Sequence, residues 1–364
     1  MVALISALLF MLPALPGQAA PVSRSELGRK ALATVVAQLK SDDSDLRAQA
    51  AEILGATGNK AAIPMMRNLL GDRDKYVRIA AARSLWELGS PAGIKTIYAI
   101  INDIPAQGTV PVTNSPLVEL KVIAQNKVRT KAMEALVAMK GKDASDVLYK
   151  MKNDNYGTIR DAAAKELAKL GNEDELAQFT EALASGDEGV RYESAMVLSK
   201  ICVSAAVDPL KAMLPAEKSV RVQMAALDAL KCNPSKKDAL NEVLKLADSS
   251  NPTIKYKAVA VLSGIKDPKA QAKLAAVAAS DASDIRLKIT AQKGLMYNGA
   301  PPAVEVAQSA LSAVNPEVKL EALDVVEGFT EDEAMPLLAQ ALDDTSMRVK
   351  LAASLQVLKR FARK

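Results

Sequence analysis

The chain has 364 residues, 49% apolar and 24% charged, which is more than one hydrophobic core normally covers and far from the composition of a disordered chain. It has no histidine and two cysteines, which excludes a Ser-His-Asp triad, a Cys-His dyad, a histidine-ligated metal centre and a disulfide scaffold. A net charge of +5 is too mild over this length to mark a nucleic-acid binder, and 3% aromatics argue against an all-β sandwich.

No charged residue precedes Arg24, and Val2 to Leu12 is apolar apart from Ser6. That run is shorter than the roughly 20 residues of a bilayer span but suits a secretory h-region. Pro13 and Pro16 end it, and Gly17 and Ala19 put small residues at −3 and −1 of a cut before Ala20. The Lys or Arg that usually precedes such a run is missing. Residues 1–19 read as a signal peptide, giving export to the periplasm or medium with no membrane span left; an uncleaved anchor is the alternative. Residues 20–38 then form a helix expected to cap the first repeat.

From residue 39 to 364 an aliphatic residue followed by a cation recurs. The cations are Arg47, Arg78, Arg129, Arg160, Arg191, Arg221, Lys255, Arg286, Lys319 and Arg348, at steps of 31, 51, 31, 31, 30, 34, 31, 33 and 29. Four residues earlier most units carry an acid or amide: Asp43, Asp74, Asp187, Glu217, Asn251, Asn315 or Asp344. An oxygen there can accept the free amides of a starting helix. Ala three or four residues after the cation and Leu seven after it complete one helical stripe. Gly55, Gly89, Gly171 and Gly264 fall where these helices end and a left-handed cap is expected. A second helix follows in each unit, as in Ala61 to Leu70. One pair cannot bury its stripe alone, but stacked neighbours can. The expected fold is all-α, a right-handed α-α superhelix of about ten helix-turn-helix units, with the final half-unit closing the far end.

The run Asp74-Lys75-Tyr76-Val77-Arg78, continuing through Ala81-Ala82, Leu85 and Leu88-Gly89, resembles a HEAT repeat. The period is similar to the short, phycobilisome-lyase-like form of that repeat. The resemblance implies a non-enzymatic scaffold that holds a protein or peptide through the solenoid surface; a monomer is expected, and with no histidine and two dispersed cysteines no metal or cofactor is expected. The alternative it implies is an enzyme or subunit that attaches a chromophore to a protein; a nucleic-acid-binding solenoid ranks third. The family's di-iron hydroxylases use His-Glu pairs, and the absence of histidine excludes that chemistry. The basic column is read as a structural ladder paired with neighbouring acids, since few aromatics are present to stack on bases.

Acidic runs at Glu173-Asp174-Glu175 and Glu331-Asp332-Glu333 each open a second helix, where carboxylates complement the positive dipole end. Cys202 and Cys232 each stand eleven residues after their cation, equivalent positions in adjacent units. Stacked helices sit about 8–10 Å apart, whereas a disulfide wants Cα atoms within about 7 Å. Two half-buried thiols are therefore expected rather than a bond.

Residues 102–121 are the one irregularity. Pro105, Gly108, Pro111 and Pro116 exclude a continuous helix through the first half. Val118 to Val122 alternates like a strand, so a hairpin with Val110-Pro111-Val112 is one reading. A helix begun by Ser115-Pro116 and running into Val128-Arg129 is the other. The repeat does not need this chain, so Val110, Val112, Leu117 and Leu120 are candidate partner contacts.

Overall fold

The computed structural model describes residues 23–105 and 116–361. The expected signal peptide, Val110 and Val112 lie outside them. Regular structure in the described residues is entirely helical, and no helix is long and apolar enough to cross a membrane.

α1 (Arg24–Gln38) starts at Ser23, whose hydroxyl accepts the Glu26 amide hydrogen. Helix pairs follow. Unit one is α2 (Ser44–Ala56) and α3 (Ile63–Leu69), unit two α4 (Lys75–Glu87) and α5 (Ile94–Ile101), unit three α6 (Pro116–Lys140) and α7 (Ser145–Met151). Next come α8 (Gly157–Lys169) with α9 (Glu173–Ala182), α10 (Glu188–Ile201) with α11 (Val207–Met213), and α12 (Val220–Cys232) with α13 (Leu240–Leu246). Units seven to nine are α14 (Pro252–Leu262) with α15 (Pro268–Ala279), α16 (Ile285–Tyr297) with α17 (Val304–Leu311), and α18 (Pro316–Val326) with α19 (Glu331–Leu342). Unit ten has a first helix alone, α20 (Met347–Phe361).

Asp43, Asp74, Asp187, Asn251 and Asn315 cap first helices as their positions predict. Glu217 and Asp344 do not: Ser219 caps α12 instead, and the capping position of α20 is Ser346. Neighbouring first helices approach through small residues. A Cβ on Gly55 would stand 2.6 Å from that of Ser84, so α2 and α4 touch almost backbone to backbone, and Ser84 Oγ donates to the Ala51 carbonyl at 2.9 Å. Gly55 is therefore a packing residue within α2 rather than a cap. Gly89 and Gly171 do take left-handed φ values of 80° and 94°, while Gly264 does not.

The two ends of the array do not cap it separately. They complete each other. Among the described residues no second helix follows α20, and α1 lies against it in that place. Leu27, Ala31 and Val35 of α1 are buried in one continuous core with Val357 and Leu358 of α20 and with Leu54 and Met66 of unit one. Lys30 Nζ meets Asp343 at 2.6 Å, and Arg24 pairs with Glu331. α20 packs on α2 as it packs on α18. The solenoid is a closed ring of ten units whose tenth is built from both ends of the described chain.

Between units two and three the helical reading of the insertion holds and the strand reading does not. Pro116 starts α6 where its missing N–H costs nothing. The helix then runs unbroken through Val118–Val122 into Arg129. Leu117 lies in its first turn, and Leu120 is exposed on the stretch that precedes the unit proper.

Candidate functional site

In nine first helices one amide hydrogen bonds to the carbonyl four residues earlier, at the capping position. Its residue is Arg47, Arg78, Arg160, Arg191, Gln223, Lys255, Lys288, Lys319 and Lys350 in turn. From Arg160 onward the steps become 31, 32, 32, 33, 31 and 31. Arg221, Arg286 and Arg348, assigned to the ladder from the sequence, stand two residues ahead of this column and about 200° round the helix. The pattern misleads because it occurs twice in succession: Ile285-Arg286 precedes Leu287-Lys288, and Met347-Arg348 precedes Val349-Lys350. In α12 the true rung is uncharged. The Gln223 amide donates to the Glu217 carbonyl at 2.7 Å, as the Arg78 guanidinium donates to that of Asp72 at 2.5 Å.

Four rungs bind acids that stand two residues before the next unit's first-helix cap. Arg47 holds Asp72 through two bonds of 2.9 Å, Arg129 reaches Asp154 at 2.5 Å, Arg191 reaches Glu217 at 2.7 Å and Lys319 reaches Asp344 at 2.5 Å. The Arg47 bond holds the Asp72 carboxyl below the ordinary range, and the Arg191 bond does the same for Glu217. Arg160, like Arg78, turns back to its own preceding loop. Lys255 makes no ion pair among the described residues. The rungs thus sit in the corners between units.

First helices line the inside of the ring. The Tyr256 hydroxyl on α14 donates to Glu321 on α18, passing α16, and the Arg286 guanidinium of α16 lies 4.0 Å from the Tyr256 ring centre. Helices that are not neighbours can meet only across a concave surface. Arg221–Glu188, Arg286–Glu321 and Arg348–Glu317 bridge adjacent first helices here at 2.6, 2.8 and 2.7 Å. Lys257–Asp228 and Lys293–Asp324 do the same at 2.6 and 3.0 Å. The inner wall is densely charged and largely self-neutralised.

Burial, then the bond to Glu321, pushes the Tyr256 hydroxyl up from 10.0 to about 12. A tyrosine raised in the folded state contributes stability that is fully present below its unfolded value and is lost as pH rises through the folded one. Burial raises the Tyr76 hydroxyl as well, so alkaline titration of the native protein, followed by phenolate absorbance, should show a late phase above pH 10 whose amplitude Tyr256→Phe lowers by one tyrosine near pH 12. An undiminished phase in the variant would refute the assignment.

The cysteines also depart from expectation. Cys202 and Cys232 are joined in a disulfide with Cα atoms 5.4 Å apart. The interaxial spacing is measured between helix axes, whereas facing Cα atoms each stand about 2.3 Å off their axis and so come closer than the axes do. Cys202 ends α10 in the left-handed region at φ 56°, and Cys232 is the last residue of α12. A bond closing this 30-residue separation typically contributes about 2–4 kcal/mol. Unfolded protein without reductant should therefore show no free thiol, and reduction should lower the melting temperature. Two reactive thiols per chain under those conditions would disprove the bond.

Both acidic runs stay within ordinary helix-start chemistry. Glu175 pairs with Lys152, Glu331 with Arg24, and Glu333 closes a capping box with Thr330. Beside the insertion three large apolar residues, Ile104, Leu120 and Ile123, are exposed among charged ones such as Glu119 and Lys121.

The family model for HEAT repeats matches residues 32–108, 151–231 and 216–293, more than half of the chain. The chain belongs to the HEAT-repeat family. No curated protein sequence matches it. Among solved structures it is similar to an engineered protein at 19% identity, over 92% of this chain and 99% of that one, with a TM-score of 0.33. It is similar to the complex of CpcE and CpcF of phycocyanin lyase from Nostoc sp. at 21% identity, over 65% and 98%, with a TM-score of 0.37. Kap121p is similar at 16% identity, over 92% and 42%, with a TM-score of 0.35. The HEAT pattern accounts for the rungs but carries no signal for the inner wall. Tyr256, Arg286 and Glu321 stand in three different HEAT units, and only the curvature of the ring brings them together.

Proposed function

We propose that this chain is an exported, monomeric, non-enzymatic HEAT scaffold that holds a protein or peptide partner. The observation that carries this reading is the surface beside the insertion, where Ile104, Leu120 and Ile123 are 50%, 59% and 44% exposed. Leu120 and Ile123 stand three residues apart on α6 and so share a helical face, and exposed apolar side chains grouped in this way mark interaction sites. The α6 extension bearing Leu117 and Leu120 is chain that the repeat does not require. Export is supported by the uncharged apolar leader and by the Cys202–Cys232 bond, which persists in oxidising compartments. Most cations of the ladder and wall are occupied by acids or carbonyls, which favours a protein partner over a phosphate backbone.

The test immobilises the wild-type chain and a Leu120→Lys/Ile123→Lys variant against a native envelope extract. A partner retained by the first and lost by the second, at unchanged melting temperature, supports the reading. Equal retention by both overturns it. Mature protein should begin at Ala20 and lie outside the cytoplasm; intact Met1 on cytoplasmic protein contradicts export.

A further inference from the structure

The ring closes imperfectly on one side of its seam. A cavity of about 500 Å³ remains between α1, the α2–α3 turn and the end of α20, within the roughly 300–1,000 Å³ typical of small-molecule sites. Leu32, Leu54, Met65, Leu358 and Phe361 give it apolar walls. Gly28 leaves the α1 side open, since a Cβ there would meet nothing within 4 Å. Three arginines are among the residues that line the cavity, Arg24, Arg29 and Arg360, against the single acid Glu331. Glu331 is taken by Arg24, and Arg360 donates to the carbonyls of Val326, Glu327 and Phe329. Arg29 is exposed at the rim with no ion pair among the described residues.

We propose that the seam cavity binds a single-chain apolar carboxylate, its hydrocarbon body along the apolar walls and its head group at Arg29. The charge balance of the rim selects an anion, and the walls select a body without polar groups. Because the walls come from both ends of the chain, the ligand fits only the closed ring. Occupancy therefore stabilises closure by mass action. This goes beyond partner binding at the insertion and stands independently of it.

The probes are decanoate, dodecanoate and dodecanol below their aggregation limits, titrated calorimetrically into the full chain. One site per chain is expected, with dodecanoate tighter than decanoate by roughly tenfold for its two extra methylenes. Dodecanoate should raise the melting temperature, and dodecanol should bind at least several-fold more weakly. Gly28→Phe fills the cavity and should abolish binding without lowering the unliganded melting temperature. Arg29→Gln, at an exposed position that folding does not need, should weaken dodecanoate several-fold and leave dodecanol unchanged. Absence of saturable binding by the wild-type chain, or binding unaltered in both variants, overturns the proposal. Equal affinity for dodecanol and dodecanoate overturns the role of Arg29.

Discussion

Deleting residues 24–38 is expected to open the ring while leaving most of the helix content in place. Without α1, unit ten keeps one helix, and the core face of α20 that covers Leu27, Ala31 and Val35 is turned to water. Each remaining unit still stacks on a neighbour, and such arrays lose stability unit by unit rather than all at once. The expected results are a larger radius of gyration by small-angle scattering, near-unchanged far-ultraviolet circular dichroism, and a melting transition that becomes lower and broader. Leu27→Ala makes the same test with less disturbance and should cost about 2–5 kcal/mol, as for other fully buried leucines. An unchanged radius after deletion would mean that α20 does not depend on α1 for closure.

The second large effect is at Arg129, whose side chain is 1% exposed and whose partner Asp154 is 4% exposed. The guanidinium also donates to the Ile101 carbonyl and to Asn126 Oδ1, at 2.8 and 3.0 Å, so it ties unit two to unit three across the insertion. Arg129→Met leaves Asp154 buried without its counter-charge, and removing one partner of such a pair costs about 3–5 kcal/mol. Chemical unfolding should report that loss, and Asp154→Asn in the same chain should restore part of it. Arg348→Met removes an exposed inner-wall pair of the same chemistry and should cost about 0–1 kcal/mol. Equal losses at the two sites would refute the distinction between corner and wall.

The units and most caps were legible because they depend on residues a few positions apart. Asp43, Asp74 and Asn315 need only the turn that follows them. The exact rung was harder to place, because Arg286 and Lys288 satisfy the same local rule and only the hydrogen-bond register separates them. The disulfide was half legible: equal spacing from the cations placed Cys202 and Cys232 in adjacent units, but whether the two face each other across the helix contact has no sequence signature. Ring closure had none at all. It depends on small rotations summed over ten units, so a terminal helix reads as a cap whether it ends a rod or joins a circle. The contact of Tyr256 with Glu321 and the seam cavity share that origin.

Closure also sets an order of events in synthesis. Lys30 and Asp343 are 313 residues apart, yet they meet at the seam. The entropy of joining such distant ends grows only by about 0.6 kcal/mol per doubling of length, so the equilibrium tolerates it. Timing does not. α1 is made long before its partner α20, so Leu27, Ala31 and Val35 lack the α20 part of their native cover through that interval. During that interval units can stack on one another, but the tenth cannot form. The ring closes only when α20 has been made.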